Sequence, residues 1–186
     1  IPPGGKQQNS PGGDARKTGI LFHRTLQRLA IDGVEHWHAA RVQQQSLVWH
    51  RQLSAQGLED CDKAIASMSN ALKNCLEDSL NRWLFDPRLD DSACELALGY
   101  VDQLGRPRTA VIDRTFILNN ERWIIDYKLA APERMQSRDD FIIGQIQQYT
   151  PQLSLYASLF AKISTARIKT ALYFPLLPHL EIIEIK

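Results

Sequence analysis

The feature that most constrains the fold is a change of hydrophobic period near Glu95. Before that residue, apolar side chains recur every three or four positions, which is the spacing of amphipathic helices. After it, short runs rich in β-branched and aromatic residues are separated by turn signals at 105–107 and 119–120. The sequence therefore predicts a helical first half followed by strands.

The order of the predicted elements is three helices, three strands, one helix and two strands. The first helix is capped by Thr18 and interrupted at Gly33. The fourth contains Pro151, which either kinks it or opens its first turn behind Thr150. The remaining elements are helices over about 36–54 and 58–84, strands over about 94–102, 109–118 and 122–130, the fourth helix over 141–163, and strands over 168–177 and 179–185.

Length and composition bound the class of protein. With 186 residues, 44% of them apolar and 23% charged, the chain is long enough for about one ordinary globular domain. Its formal net charge of +1 excludes the broad basic field of a polyanion-coating protein. Any contact with nucleic acid must therefore be local.

The N-terminal segment differs from the rest of the chain. Residues 1–17 begin with Ile1, are rich in Pro, Gly, Gln and Asn, and carry no apolar period. We expect them to be a flexible linker from a preceding domain, so that the chain is part of a longer protein. The folded domain is then expected over 18–186, with a helical part at 18–86 and a catalytic core at 94–186.

Targeting and cysteine signals are weak. No apolar stretch is long enough to span a bilayer, and the N-terminus lacks the features of a signal peptide. Cys61, Cys75 and Cys94 are widely spaced and odd in number, which favours reduced thiols over a disulfide framework. We expect a cytoplasmic protein without a membrane partner.

The first chemical signal is Asp126-Tyr127-Lys128, at the end of an apolar strand. Because residues i and i+2 of a strand share a face, the carboxylate of Asp126 and the ammonium of Lys128 point to the same side. Taken alone, this pair is equally consistent with a simple salt bridge.

A second aspartate strengthens the signal. If the strands around 119–120 form a hairpin, simple counting pairs residues whose numbers sum to 239, which sets Asp113 opposite Asp126. Like charges directly across a ladder repel each other unless a cation lies between them. Carboxylate oxygens are the ligands that Mg²⁺ and Mn²⁺ prefer. The alternative is a strand-end aspartate paired with Arg114 or Arg122.

Asp113, the 13-residue interval and Asp126-Tyr127-Lys128, set in a βββαβ order, resemble the PD-(D/E)XK nuclease superfamily. Within it they resemble the RecB-like nuclease domains at the C-terminus of ATP-dependent DNA helicases of superfamily 1, the UvrD/Rep type. The resemblance covers about 18–183 and implies a restriction-endonuclease-like α+β (α/β) core, a mixed sheet flanked by helices with an N-terminal helical segment. Ala110 stands where the family often has Gly.

The resemblance also implies roles for residues outside the strand motif. Gly19 and His23 match a Gly-x-x-x-His helix motif whose histidine is a metal ligand, and Glu95 matches the acidic residue that opens the first strand. Gln152 and Tyr156 match a Gln-x-x-x-Tyr motif on the helix after the catalytic strand. The implied metal ligands are His23, Glu95, Asp113 and Asp126, and the implied catalytic set is Asp113, Asp126, Lys128, Gln152 and Tyr156.

The implied function is Mg²⁺- or Mn²⁺-dependent hydrolysis of DNA phosphodiesters in repair or recombination. The implied partners are single-stranded DNA or duplex ends, the helicase motor of the same parent chain, and a second helicase–nuclease subunit. ATP would be used only by the motor, because no phosphate-binding GxxxxGK[ST] motif occurs here. The cysteines that hold an iron–sulfur cluster in some relatives are absent, so no cluster is expected. Candidate DNA contacts are Arg24, Arg28, Arg114 and Arg134.

Other interpretations stay open on the sequence alone. The resemblance favours an exonuclease, although the residues themselves do not separate exonuclease from endonuclease. A nuclease fold without catalysis could instead serve DNA binding or partner docking. The presence of His23, Asp113, Asp126 and Lys128 favours catalysis, because loss of a ligand or of the lysine would mark an inactive module. A free-standing restriction-type endonuclease is disfavoured by the linker-like N-terminus.

Overall fold

The computed structural model describes residues 11–185. The helices are α1 (Pro11–Asp32), α2 (Ala39–Ala55), α3 (Cys61–Glu77) and α4 (Arg138–Phe160), with short 3₁₀ turns at Val34–His36 and Arg82–Phe85. The strands are β1 (Asp90–Val101), β2 (Pro107–Leu118), β3 (Glu121–Tyr127), β4 (Arg167–Phe174) and β5 (His179–Ile183). None of the helices within 11–185 is long and apolar enough to cross a membrane.

The first helix starts earlier than the sequence predicts and ends where predicted. It begins at Pro11, so Thr18 lies inside it and its hydroxyl donates to the Asp14 carbonyl over 2.9 Å. The predicted linker is therefore helical from Pro11 onward, and its first ten residues lie outside the described part of the chain. The helix ends before Gly33, whose φ of 84° is in a region that favours glycine.

The predicted helix over 58–84 is a shorter helix followed by a turn. The Asp60 side chain caps α3 by accepting the amide of Lys63 over 3.0 Å. After Glu77, the Asp78 carboxylate accepts the amides of Leu80 and Asn81 over 3.1 and 3.2 Å. This local side-chain turn competes with the helical hydrogen bonds and ends the helix.

The five strands form one mixed sheet in the order β1-β2-β3-β4-β5. The first three are antiparallel neighbours, β4 runs parallel to β3, and β5 is antiparallel to β4. Because α4 connects the two parallel strands, it serves as their crossover helix. The predicted mixed α+β fold is confirmed. Pro151 lies inside α4, so it does not open a new helix behind Thr150.

Two apolar cores lie on opposite faces of the sheet. Along β3, Trp123, Ile125 and Tyr127 belong to the core that also contains the buried side chains of α1, α2 and α3, whereas Ile124 belongs to the core that contains those of α4. Alternation along the strand thus directs Asp126, which follows Ile125, toward the α4 side. The helical first half and α4 form the outer layers, and the end of β3 lies between them.

Candidate active site

The central hairpin brings the two aspartates together in the predicted register. The β2–β3 ladder pairs Leu118 with Glu121 and continues to Arg114 opposite Ile125. These pairs sum to 239, so the counting argument is confirmed. Beyond the last pair, the Asp113 Oδ2 atom accepts the backbone amide of Tyr127 over 2.8 Å. The side chain of Asp113 therefore bridges the two strands where their ladder ends, next to Asp126.

The partner of Asp113 on the other side is Glu95 of β1. Cys94 pairs with Arg114 and Leu96 with Ile112, which sets Glu95 opposite Asp113. Glu95 has a φ of 51°, and its neighbours Cys94 and Leu96 pack against opposite cores. Regular alternation would place both neighbours on one face. The strand is thus locally distorted at a charged residue, and such strain is typical of functional sites.

His23 of α1 completes a cluster of possible metal ligands. Its Nδ1 atom lies 3.2 Å from Asp113 Oδ1, and its ring meets the Tyr127 ring edge-on with centroids 6.1 Å apart. One ligand atom from each of His23, Glu95 and Asp113 lies within 4.8 Å of the others. Three separate elements, α1, β1 and β2, therefore converge on one point.

Charge crowding is visible in the pKa values of this cluster. Burial, together with the negative charge of Asp113, raises the pKa of Glu95 above its usual range, and His23 and Arg24 oppose this rise. Burial lowers the pKa of His23, but its hydrogen bond to Asp113 and the surrounding carboxylates outweigh that effect and raise it. Negative charge is thus concentrated at this point.

Asp126 is held by two partners beside this cluster. Its Oδ2 atom forms an ion pair with Lys128 Nζ at 2.5 Å, and its Oδ1 atom accepts from Gln152 Nε2 over 2.9 Å. The residue is 2% exposed. Burial and the charge of Asp113 raise the pKa of Asp126 to about 6, against the opposing effect of Lys128. Ionisation of Asp126 is therefore less favourable than ionisation of an aspartate in water.

The Gln-x-x-x-Tyr pair anchors α4 to the central hairpin. Gln152 Nε2 donates to the Tyr156 hydroxyl over 2.6 Å, and that hydroxyl donates to the Val111 carbonyl over 2.7 Å. Burial raises the pKa of Tyr156 to about 12, although the contact with Gln152 opposes this. The chain of contacts connects β2 through Tyr156 and Gln152 to Asp126. Gln152 thus holds one oxygen of the Asp126 carboxylate.

One residue of the site was not identified from the sequence. The ring centroid of Tyr149 lies 3.7 Å from Lys128 Nζ. A spacing signal was present, because Tyr149 precedes Gln152 by three residues and Tyr156 by seven, which places all three on one helical face. The signal does not say which strand residue that face meets.

The four candidate arginines differ in exposure. Arg24, Arg28 and Arg134 are exposed, and Arg28 pairs with Asp32 over 3.1 Å. Arg114 is 2% exposed and donates to the carbonyls of Leu84 and Asp86 and to the Cys94 sulfur. A guanidinium used in this way is not available to a phosphate backbone. The prediction for Arg114 is therefore corrected to a structural role.

The donor set fits a hard divalent cation. One imidazole and two carboxylates from His23, Glu95 and Asp113 offer ligand atoms within 4.8 Å of one another, and the carboxylates supply the hard oxygen donors that such a cation prefers. Asp126 lies alongside, although its oxygens are engaged by Lys128 and Gln152. The arrangement can bind a cation between α1 and the central strands, with an ammonium close by.

Comparison with known proteins places these features in a family. The family model described as the PD-(D/E)XK nuclease superfamily matches residues 4–181. A search of curated proteins finds no significant match. The matched span includes every residue of the cluster, the Asp126–Lys128 pair and the Gln152–Tyr156 pair.

Proposed function

The chain belongs to the PD-(D/E)XK nuclease superfamily, and from this premise we propose that it is a metal-dependent DNA nuclease domain. The observation that carries the proposal is the convergence of His23, Glu95 and Asp113 within 4.8 Å beside the Asp126–Lys128 pair. Members of this superfamily generally use divalent metal ions, and the donor types present here suit Mg²⁺ or Mn²⁺.

Each residue of the site has a separate proposed role in the hydrolysis. His23, Glu95, Asp113 and Asp126 would hold the cation, which would supply Lewis-acid polarisation of the phosphate and a lower pKa for a bound water. Lys128 orients the attacking water or offsets the negative charge that develops on the phosphate. Gln152 fixes the direction of the Asp126 carboxylate, and Tyr156 fixes Gln152.

We further propose that this is a RecB-like domain of a larger helicase–nuclease. Two contacts support this narrower assignment. His23 of the Gly-x-x-x-His motif meets Asp113, and Gln152 of the Gln-x-x-x-Tyr motif meets Asp126, so both outlying motifs contact the central aspartates. The partners are then DNA strands or ends and a helicase motor, the process is repair or recombination, and the activity is that of an exonuclease.

The test is cleavage of linear single- and double-stranded DNA by the purified domain in Mg²⁺, Mn²⁺ or EDTA. Asp126→Ala and Lys128→Ala are compared with the wild type. Lys169→Ala is a matched control, because Lys169 pairs with Glu121 over 2.6 Å and lies 5.0 Å from the Trp123 ring centroid at the opposite end of β3. It removes the same type of contact away from the site.

We expect metal-dependent cleavage that is lost in Asp126→Ala and Lys128→Ala and kept in Lys169→Ala. Calorimetry with Mn²⁺ should show binding to the wild type. Absence of both cleavage and Mn²⁺ binding would overturn the proposal and favour a module for DNA binding or docking. The helicase assignment is tested in the full-length parent protein. If this domain is attached to a helicase motor there, degradation of DNA should depend on ATP.

A further inference from the structure

The ammonium of Lys128 lies between two groups of different chemistry. On one side is Asp126 Oδ2 at 2.5 Å, and on the other is the Tyr149 ring centroid at 3.7 Å. The lysine side chain is 16% exposed. Because little of it faces water, its contacts with these two groups are screened less than those of a surface lysine.

A carboxylate alone does not define where the ammonium points. Lysine has four rotatable side-chain bonds and a compact charge, and ionic attraction depends weakly on direction. An aromatic face adds a second, directional restraint, since the ring quadrupole attracts a cation above its centre. The distance of 3.7 Å is within the range of such contacts.

The position of Tyr149 on α4 and the contact of its hydroxyl leave its ring face for the lysine. Tyr149 lies on α4 on the same face as Gln152, which holds the other oxygen of Asp126. The Tyr149 hydroxyl accepts from Gln148 Nε2 over 3.3 Å, so the hydroxyl is engaged apart from the lysine. It is therefore the ring face of Tyr149 that meets the ammonium.

We propose that Tyr149 is a positioning residue for Lys128, whose ring face holds the ammonium beside Asp126 and directs it toward the reacting phosphate. This rests on the proposed nuclease function and adds a residue to it. The role requires an aromatic face and does not require the hydroxyl. Phenylalanine should therefore replace Tyr149, and leucine should not.

The contact is measured first, without any need for activity. In protein labelled with ¹³C-lysine, protons of the Lys128 ε-methylene should be shifted upfield by the ring current of Tyr149. Lys128→Arg and Lys169→Arg assign the two lysine signals that lie near aromatic rings. We expect the Lys128 shift to persist in Tyr149→Phe and to disappear in Tyr149→Leu.

Cleavage is then measured at varied DNA concentration. Tyr149→Leu should lower kcat by about tenfold with little change in KM, and Tyr149→Phe should stay within about twofold of the wild type. Tyr100→Leu is the matched control, because Tyr100 and Tyr149 are both partly buried against the same core. It should leave kcat unchanged.

Different failures have different meanings. A shift that is absent in the wild type or kept in Tyr149→Leu would overturn the contact itself. A shift lost together with an unchanged kcat would overturn the positioning role. If the wild type shows the shift but neither cleaves DNA nor binds Mn²⁺, the nuclease proposal fails and the catalytic purpose of the contact fails with it, while the contact between Lys128 and Tyr149 stands.

Discussion

At the scale of single residues, burial separates the arginines of this chain into two kinds. Arg114 is 2% exposed and its guanidinium is used by the carbonyls of Leu84 and Asp86, so it connects β2 to the segment that precedes β1. Arg24 is exposed, follows His23, and its charge opposes the raised pKa of Glu95. The first arginine is therefore part of the packed fold, and the second has an exposed charge beside the proposed site.

Substitution of Arg114 should therefore change the stability of the protein, and substitution of Arg24 should change its binding to DNA. Arg114→Ala leaves two carbonyls without their donor and should lower the free energy of unfolding by about 2–4 kcal/mol. Arg24→Ala should leave stability within about 0.5 kcal/mol and reduce the slope of log affinity for DNA against log salt by about one. Denaturant unfolding and salt-dependent DNA binding measure the two effects. A reduced salt slope in folded Arg114→Ala would contradict the structural role.

Asp126 shows the cost of a buried carboxylate at the same scale. Its pKa is about 6 in the folded protein, against 3.8 for an ordinary aspartate, because of burial and the charge of Asp113. The folded state therefore holds this proton more tightly than the unfolded state. The stabilisation from protonation is fully present below about pH 4 and is lost as the pH rises through about 6.

In EDTA, the wild type should consequently gain stability relative to Asp126→Asn as the pH falls from 7 to 4. The difference of about two pKa units corresponds to about 3 kcal/mol, which is the upper limit of the gain. Urea unfolding at several pH values measures it. Because the asparagine does not titrate, parallel curves for the two proteins would show that the pKa of Asp126 is not raised.

At the scale of elements, the site is built from helices that each present one face to the sheet. His23 is carried by α1, and Tyr149, Gln152 and Tyr156 are carried by α4. The residues on each helix are close together in sequence, whereas the residues of β2 and β3 that they contact are distant in sequence. A change in the stability of α1 or α4 should therefore change the stability of the protein and leave the types of side chain at the site unchanged.

Substitutions at two helical glycines should change the stability of α1 and α4 without altering any side chain of the site. A Cβ atom added at Gly19 of α1 or Gly144 of α4 meets nothing within 4 Å. Gly19→Ala and Gly144→Ala should each raise the free energy of unfolding by about 0.5–1 kcal/mol, because alanine loses less backbone entropy in a helix. Gly33→Ala provides the opposite control. Its φ of 84° should make alanine destabilising by about 1 kcal/mol. Thermal unfolding of the three variants decides the signs, and a loss of stability in Gly144→Ala would contradict the argument.

At the scale of the whole molecule, the ligand cluster connects the outer helical layer to the sheet. His23 and Asp113 are 90 positions apart in sequence, and Glu95 lies on a third element. A cation bound by all three would therefore bind the native state and not the unfolded chain. Binding of this kind stabilises the fold by mass action.

Addition of Mn²⁺ should raise the unfolding temperature of the protein, and EDTA should reverse the rise. At a hundredfold excess over the dissociation constant, the stabilisation of about 2.7 kcal/mol corresponds to roughly 5–10 °C. Asp113→Asn should abolish the rise. Glu121→Gln should retain it, because Glu121 belongs to an ion pair at the other end of β3. An equal rise in both variants would indicate binding elsewhere.

The sequence by itself determined those features that depend on neighbouring residues. Hydrophobic periods predicted the element order, and Gly33 ended α1 because of its backbone conformation. The register of the central hairpin followed from its two-residue turn, in which Asn119 and Asn120 have φ values of 52° and 61°. The proximity of Asp113 to Asp126 was therefore predictable by counting.

Tertiary structure alone decided which layers meet and what each charged side chain contacts. The burial of Arg114, the contact of Tyr149 with Lys128, and the distorted strand at Glu95 depend on how the helices pack on the twisted sheet. Periodicity defines the face of a helix and not its position along a strand. These contacts join residues distant in sequence, so their geometry emerges only when the layers pack together.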